Sequence, residues 1–356
     1  MKVADFDFAL PDELIAQEAS PRGGSRLLVL DRTTGGISHA SIRDLPRCLR
    51  RGDLLVINDT RVFPARLLGH RVPSGGAVEC LLLQKEDVSD IRSPESGTQI
   101  WSALVHPGQK LKSGALVRFA GAGGVLMAEV LERQFFGRRR IRLWADGGDI
   151  DEIVDAIGHV PLPPYIHRDD RAADRERYQT VFAERRGSVA APTAGLHFDR
   201  ALFGALERAG VEHVSLTLHV GYGTFKPVRV DDVDAHVVDP EPYEIAERAA
   251  VVINAALDAG RRIVAVGTTT TRALEDAAIR GSGRIVPGRA NATVFIRPGH
   301  QFRVLSGLLT NFHLPKSSLL MLAAAFAGRE RLLEAYRVAI AARYRFYSYG
   351  DAMLIA

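Results

Sequence analysis

The hydrophobic period changes twice along this chain of 356 residues, and that change limits the folds open to it. From about residue 60 to 150, short apolar runs alternate with glycine-rich breaks. "GAVECLLLQKE", "IWSALVHPG", "GALVRFAG", "GVLMAEVLER" and "RRRIRLWADG" are set off by Pro-Ser-Gly-Gly, Pro-Gly-Gln-Lys, Gly-Ala-Gly-Gly and Gly-Gly. Short strands at regular spacing with tight turns predict a small closed β-barrel, because closure leaves no strand edge unpaired. Residues 87–98 ("DVSDIRSPESGT") read as a mobile loop inside that block.

On either side the pattern is different. "RLLVLDR" (26–32) and "DLLVIND" (53–59) are apolar strands that need a sheet to join. Beyond residue 150, helix and strand alternate. "RALFGALERAG" is a helix ended by Gly210, and "VEHVSLTLHVG" is a strand. "EIAERAAVVINAALDAG", "TTTTRALEDAAIRG", "KSSLLMLAAAFAG" and "RERLLEAYRVAIAARYRF" are helices. "RIVAVG", "ATVFIRPG" and "GLLTNFHLP" are strands between them. Such alternation predicts a mainly parallel sheet with helices on its faces. The expected architecture is therefore α/β. One discontinuous domain takes residues 1–59 and 151–356, with a barrel domain inserted at 60–150.

Composition removes several function classes. Hydrophobic residues at 46% and charged residues at 25% suit a globular protein. The first residues, "MKVADFDFALPDELIAQEA", carry acids and do not read as a signal peptide. No apolar run reaches the roughly 20 residues that a bilayer span needs; the closest is 319–327. Cys48 and Cys80 are the only cysteines, which argues against a disulfide framework or a thiolate zinc site. A cytoplasmic location and no metal are expected. Six of the 46 basic residues are lysine, so forty are arginine. Codon bias accounts for that plainly. Guanidinium pairing with phosphate is the functional reading, and the run Arg138, Arg139, Arg140 is the candidate contact for an RNA.

Chemistry-bearing residues gather where strands end. "SVAAPTAGLHFD" places Pro192, Thr193, Gly195 and His197 at the mouth of a helix, in a stretch with almost no charge. "LHVGYGTFKPV" places His219, Gly221, Gly223, Thr224, Phe225 and Lys226 after a strand. Its Gly-Tyr-Gly is not a dinucleotide fingerprint, since Pro227 precludes the helix and the third glycine is absent. "VGTTTTRALE" opens a helix on Thr268, Thr269, Thr270 and Thr271, with Arg272 next. One threonine suffices for a cap, so four point towards a ligand at the helix N-terminus. "LLTNFHLPKSS" carries Asn311, His313 and Lys316. "DAHVVDPEPYE" offers His236, Asp239, Glu241 and Tyr243 as an acid/base with an aromatic wall, or as a plain solvated loop. "INDTRVFPARLLG" holds Asp59, Arg61 and Arg66, which read either as an ion pair joining the two parts or as an anion clamp.

Together these segments resemble one family, the S-adenosylmethionine:tRNA ribosyltransferase-isomerases of queuosine biosynthesis. The resemblance also takes in "HVPLPPYI", "RYQTVFAE" and "RYRFYSYGDAMLI", so it covers nearly the whole chain. Against the family pattern HxMHxExY, Asp239 replaces the second His. The resemblance implies transfer and isomerisation of the ribosyl part of S-adenosylmethionine. The acceptor is 7-aminomethyl-7-deazaguanine at the tRNA wobble position, and adenine and methionine leave. It implies an α/β domain with an inserted barrel, S-adenosylmethionine as ribosyl donor, no metal, a tRNA partner and no membrane; a monomer is expected. The residues expected to do the chemistry are His197, His219, Glu241 and His313, with the other strand-end residues binding substrate. A methyltransferase would need a glycine-rich loop after an early strand, and none is present. A non-catalytic RNA-binding protein would explain the arginines but not the polar residues at strand ends.

Overall fold

The computed structural model describes residues 1–86 and 97–356, the side chains of Phe136 and Phe225 apart; most of the loop expected at 87–98 lies outside the described residues. The chain forms two compact units. The first comprises Met1–Arg61, Pro164–Arg168 and Arg177–Ala356, and the second Val62–Pro163 and Asp169–Glu176.

The second unit is built on β5 (Arg66–Val72), β6 (Ala77–Lys85), β7 (Thr98–His106), β8 (Leu116–Gly121), β9 (Gly124–Arg133) and β10 (Arg138–Ala145), with the helix α2 (Ile150–Ile157). The strands close into an antiparallel barrel in the order β10-β7-β6-β5-β8-β9. Period-two alternation fills its interior: Val78, Cys80 and Leu82 from β6, Leu126, Ala128 and Val130 from β9, Ile141 and Leu143 from β10. Arg139 falls in the same inward phase as Ile141, and it is buried.

The first unit begins with β1 (Arg26–Leu30), β2 (Ile37–Ser41), the short α1 (Leu45–Cys48), β3 (Leu54–Asn58) and β4 (Thr60–Val62). The helix α3 (Asp174–Arg177) belongs to the second unit but for its last residue, and the first unit goes on with β11 (Arg185–Ser188), α4 (Arg200–Arg208), β12 (Glu212–Leu218), β13 (Glu241–Ile245), α5 (Glu247–Asp258) and β14 (Ile263–Val266). The chain closes with α6 (Thr268–Arg280), β15 (Gly288–Ala292), β16 (Gly307–Asn311), α7 (Ser318–Ala327), α8 (Arg329–Ala341) and β17 (Ala352–Ile355). Nine strands form one sheet in the order β15-β13-β12-β3-β14-β16-β17-β1-β2.

Pairing is parallel through β12, β3, β14 and β16, and again between β17 and β1. It is antiparallel between β16 and β17 and at both edges, so the sheet is mixed with a parallel centre. The central strands β3, β14 and β16 are buried at every residue, as a sheet covered on both faces requires. Leu54 and Val56 of β3 enter the core shared with α5 to α8, while Leu55 and Ile57 enter the core shared with α1 and α4.

The strand expected at 292–299 does not form beyond Ala292, and the strand β15 lies before it. β15 stops at Ala292 because Thr293 turns its amide onto Asp276 Oδ1, 3.0 Å away, instead of a neighbouring strand. β11 stops at Ser188 because the amides of Val189 and Ala190 both turn to Val220 O. Between β14 and α6 lies Gly267 at φ 93°, a backbone conformation that a Cβ strains.

Glu275 of α6 is fully buried, a fact its sequence position does not announce. Its carboxylate accepts the amides of Arg303, Val304 and Leu305 at 2.9, 3.1 and 3.2 Å, pinning the loop that leads into β16. Glu275→Ala strands all three donors. At about 1–3 kcal/mol per unsatisfied buried group, urea denaturation should show a loss of about 3 kcal/mol or more, and Glu275→Gln, which keeps one acceptor oxygen, a smaller one. A loss under about 1 kcal/mol for the alanine variant would show that the loop holds itself without the carboxylate.

Candidate active site

A cavity opens at the carboxyl ends of the parallel strands, the position at which open α/β sheets take ligands. Val220 after β12, Gly267, Thr268 and Thr269 after β14, and Thr310 to His313 at the end of β16 line it. Pro192 and Thr193, with three small alanines, form a second wall. Those small residues put the main chain of 190–194 against whatever fills the cavity. Tyr165, Tyr347 and Ser348 form a third wall.

The titratable groups of this cavity are all held uncharged by burial. His313 is buried, with its Nε2 2.9 Å from Thr310 Oγ1 and its amide donating to the Tyr336 hydroxyl. Desolvation lowers its pKa to about 3, so the imidazole is neutral at pH 7. Burial raises the Tyr165 and Tyr347 phenols above their ordinary range, which keeps both as hydrogen-bond donors. Among the described residues no carboxylate lines the cavity. Asn311 donates Nδ2 to Tyr347 O at 2.9 Å, and its buried side-chain amide lies beside the His197 imidazole. Tyr347 itself sits at φ 75°, held there by its amide on Phe312 O and its carbonyl on Asn311. A non-glycine residue in that region is strained, and here the strain aims an aromatic ring into the cavity wall.

A second cavity adjoins the first through two shared residues, Thr224 and Leu319. Its character is different. Lys226 and Asp239 form an ion pair of 2.6 Å, each about one-third exposed. Behind them Arg272 and Glu241 form a buried pair. Glu241 also accepts Gly221 N and the Thr224 hydroxyl on Oε1, both at 3.1 Å. Arg272 also donates to the carbonyls of Val294, Asp239 and Ala292. Phe295, Ile296 and Leu322 supply apolar wall.

Of the residues expected from sequence, Pro192, Thr193, Thr224, Thr268, Thr269, Asn311 and His313 meet at the first cavity, and Gly223, Thr224, Glu241 and Arg272 at the second. Others lie elsewhere, for identifiable reasons. Thr270 and Thr271 bond back to the carbonyls of Val266 and Gly267, and no side chain caps α6. His197 is buried behind the 190–194 wall, with Nδ1 2.8 Å from Ser25 Oγ and a pKa lowered by burial to about 4. Gly195 is there for packing, since a Cβ would lie 2.7 Å from Phe182 and Thr180. Gly221 serves through its amide on Glu241. The Phe225 side chain lies outside the described residues.

His219 and Tyr243 line a separate groove with Arg185, Arg186 and Arg289. His219 Nδ1 is 2.8 Å from Thr60 Oγ1, and the Tyr243 hydroxyl donates to Asp276. Asp59 is buried with its carboxylate accepting the Thr217 hydroxyl, and desolvation raises its pKa. Arg61 is exposed. Lys316 pairs with Asp7 at 2.7 Å and lines neither cavity; its place is to pin the N-terminal segment, with its amide on Phe6 O.

In the barrel unit, Arg66 pairs with Glu79 at 2.8 Å. Arg139 spends its guanidinium on the carbonyls of Gly108, Leu111, Gly137 and Arg138, and Arg140 pairs with Glu86. The inward phase of residue 139 on β10 removes the middle of the expected RNA-contacting run, and that ion pair engages Arg140; Arg138 is half-buried. Sequence reasoning missed Tyr165, Thr310, Tyr347 and Ser348. Their only signal was that they stand in the resemblance segments "HVPLPPYI", "LLTNFHLPKSS" and "RYRFYSYGDAMLI".

Comparison with known proteins agrees with this geometry. The chain is 49% identical to the S-adenosylmethionine:tRNA ribosyltransferase-isomerase of Citrifermentans bemidjiense, over all of both chains. It is 47% identical to that of Desulfitobacterium hafniense, again over the whole of each. A crystal structure of S-adenosylmethionine tRNA ribosyltransferase from Thermotoga maritima is 35% identical, covers 99% of this chain and 100% of its own, and has a TM-score of 0.54. The family described as "Queuosine biosynthesis protein" matches residues 3–355, and to that family this chain belongs.

Proposed function

We infer that this chain is an S-adenosylmethionine:tRNA ribosyltransferase-isomerase. It moves the ribosyl group of S-adenosylmethionine onto 7-aminomethyl-7-deazaguanine at the tRNA wobble position, forms epoxyqueuosine-tRNA, and releases adenine and methionine. The observation that carries this is full-length identity of 46–49% to relatives bearing that activity's name. Among the described residues no helix is long and apolar enough to cross a membrane; action on tRNA in the cytoplasm, as a monomer, is part of the same proposal.

The strand-end cavity supports the chemistry. The sulfonium of the substrate acidifies the adjoining ribose carbon, so a weak base suffices to take its proton. His313 is the imidazole on the cavity wall, neutral and oriented by Thr310. The attacking aminomethyl group must be neutral, and a wall without carboxylates favours that form. Tyr165 and Tyr347 remain protonated and offer hydrogen bonds to the departing nucleobase. Glu241 is a positioning residue: its oxygens are engaged by Gly221, Thr224 and Arg272, and its task is to aim the Thr224 hydroxyl.

The purified chain, given S-adenosylmethionine and tRNA carrying the aminomethyl-deazaguanine, should yield epoxyqueuosine-tRNA with adenine and methionine. Release of S-adenosylhomocysteine would show methyl transfer instead and overturn the reading. His313→Asn should lower kcat by about 100-fold or more with little change in S-adenosylmethionine affinity; near-normal turnover would remove His313 from the chemistry.

The same burial has a pH consequence. His197 and His313 have folded pKa values of about 4 and about 3, below the ordinary 6.5. Below pH 6.5 the unfolded chain takes up protons that the folded chain refuses. Stability is therefore level above that pH and falls as the pH drops, by about 1.4 kcal/mol per unit for each such group well inside the window. His219 and His236 shift the same way. Denaturation followed from pH 7 to 5 should show this slope, and His313→Asn should reduce it. An unchanged slope in that variant would mean that His313 is not held neutral.

A further inference from the structure

The second cavity takes no substrate atom in the steps above, yet it shares two wall residues with the first, Thr224 and Leu319. We propose that it seats the methionyl end of S-adenosylmethionine, with the zwitterion read by the Lys226–Asp239 pair. This deepens the reading of the chain as a ribosyltransferase and rests on it.

The cavity offers two ion pairs of different standing. The inner pair is closed. Arg272 spends its donors on Glu241 and on three carbonyls, and Glu241 accepts three partners, so neither has a reason to turn to a ligand. The outer pair is open to solvent on both sides, with side-chain exposures of 34% for Lys226 and 33% for Asp239. An α-amino acid carries one ammonium and one carboxylate on a single carbon. A lysine beside an aspartate is the complementary arrangement, ammonium to Asp239 and carboxylate to Lys226.

The remaining wall suits the rest of the methionyl chain. Phe295, Ile296, Leu319 and Leu322 are apolar and match a thioether carbon chain. Thr224, at the junction, is where a ligand passing from one cavity to the other crosses. The backbone is shaped around Asp239 too. A Cβ on Gly223 would lie 2.7 Å from Asp239 Oδ2, so only glycine lets the carboxylate settle there. Asp239 is also a position at which this chain departs from the family pattern. In this chain the second histidine of that pattern is exchanged for the anionic half of the pair.

The test compares two neutral-sulfur ligands that differ only in the group on sulfur, the amino-acid chain of S-adenosylhomocysteine against the methyl of 5′-methylthioadenosine. Calorimetric titration of the full chain, without tRNA, gives both affinities. The wild-type protein should bind S-adenosylhomocysteine more tightly, by about tenfold or more. Lys226→Met and Asp239→Asn should each remove about tenfold from S-adenosylhomocysteine affinity and leave 5′-methylthioadenosine unchanged. Gly223→Ala keeps both charges but displaces Asp239, and it should act in the same direction; it decides the matter if a charge variant fails to fold. Equal losses for both ligands, or no loss for either, would overturn the proposal and leave the ribosyltransferase reading intact. Failure of the wild-type chain to bind S-adenosylmethionine or either analogue would overturn both.

Discussion

The buried pair between Arg272 on α6 and Glu241 at the start of β13 holds the site region together. Burying two charges costs several kcal/mol in desolvation, and such a pair adds little stability unless every remaining lone pair and proton is used. Here they are used. Arg272 gathers the carbonyls of Asp239, Ala292 and Val294, and Glu241 gathers the Gly221 amide and the Thr224 hydroxyl. One interaction thus fixes the first turn of α6, the end of β15, the loop after β12 and the approach to β13. Losing either partner would leave the other as a lone buried charge, at a cost of about 3–5 kcal/mol. The benefit is geometric: Thr224, one of the two residues common to both cavities, gets one orientation.

Around that brace, function is divided by electrostatics. The cavity at the strand ends is walled by neutral groups: threonines, an asparagine, two phenols and an imidazole that burial keeps unprotonated. Charge is confined to the neighbouring cavity and is paired there. His197 shows how far the neutral zone extends. It lies behind the wall, bonded to Ser25, with an unpartnered Nε2 close to the Asn311 amide and a pKa lowered to about 4 despite the attraction of Asp351. Desolvation there outweighs a nearby carboxylate.

The parts of this molecule that follow a period were legible in the sequence. The barrel strands show in alternation and glycine turns, and the parallel centre shows in continuous apolar runs such as residues 263–266. The strand-end grammar located the first cavity, because ligand position in an open sheet follows from topology. Side-chain direction was not legible. Thr268 and Thr269 face the cavity while Thr270 and Thr271 fold back on carbonyls four residues earlier, a split set by helical phase within one run of identical residues. Arg139 looked like part of a basic patch, but strand phase turned it inward. Lys316 was expected to bind substrate, and it pairs with Asp7, remote in sequence. Tyr347 was invisible because its role comes from a strained backbone that no local pattern encodes.

The separation of charge from reaction has a physical consequence for the substrate. With the methionyl end in the second cavity, the sulfonium lies near Thr224, whose hydroxyl is already committed to Glu241. The charge of Glu241 is cancelled by Arg272, so no bare anion awaits the cation. A cation placed against neutral walls gains less than it would in water, whereas the sulfur of a departing thioether carries no charge and loses nothing. The site therefore favours the states that follow proton loss and methionine departure over the bound cation itself. Binding energy for so uncomfortable a substrate must come from parts of it that do not react, and the zwitterion at the far end is such a part.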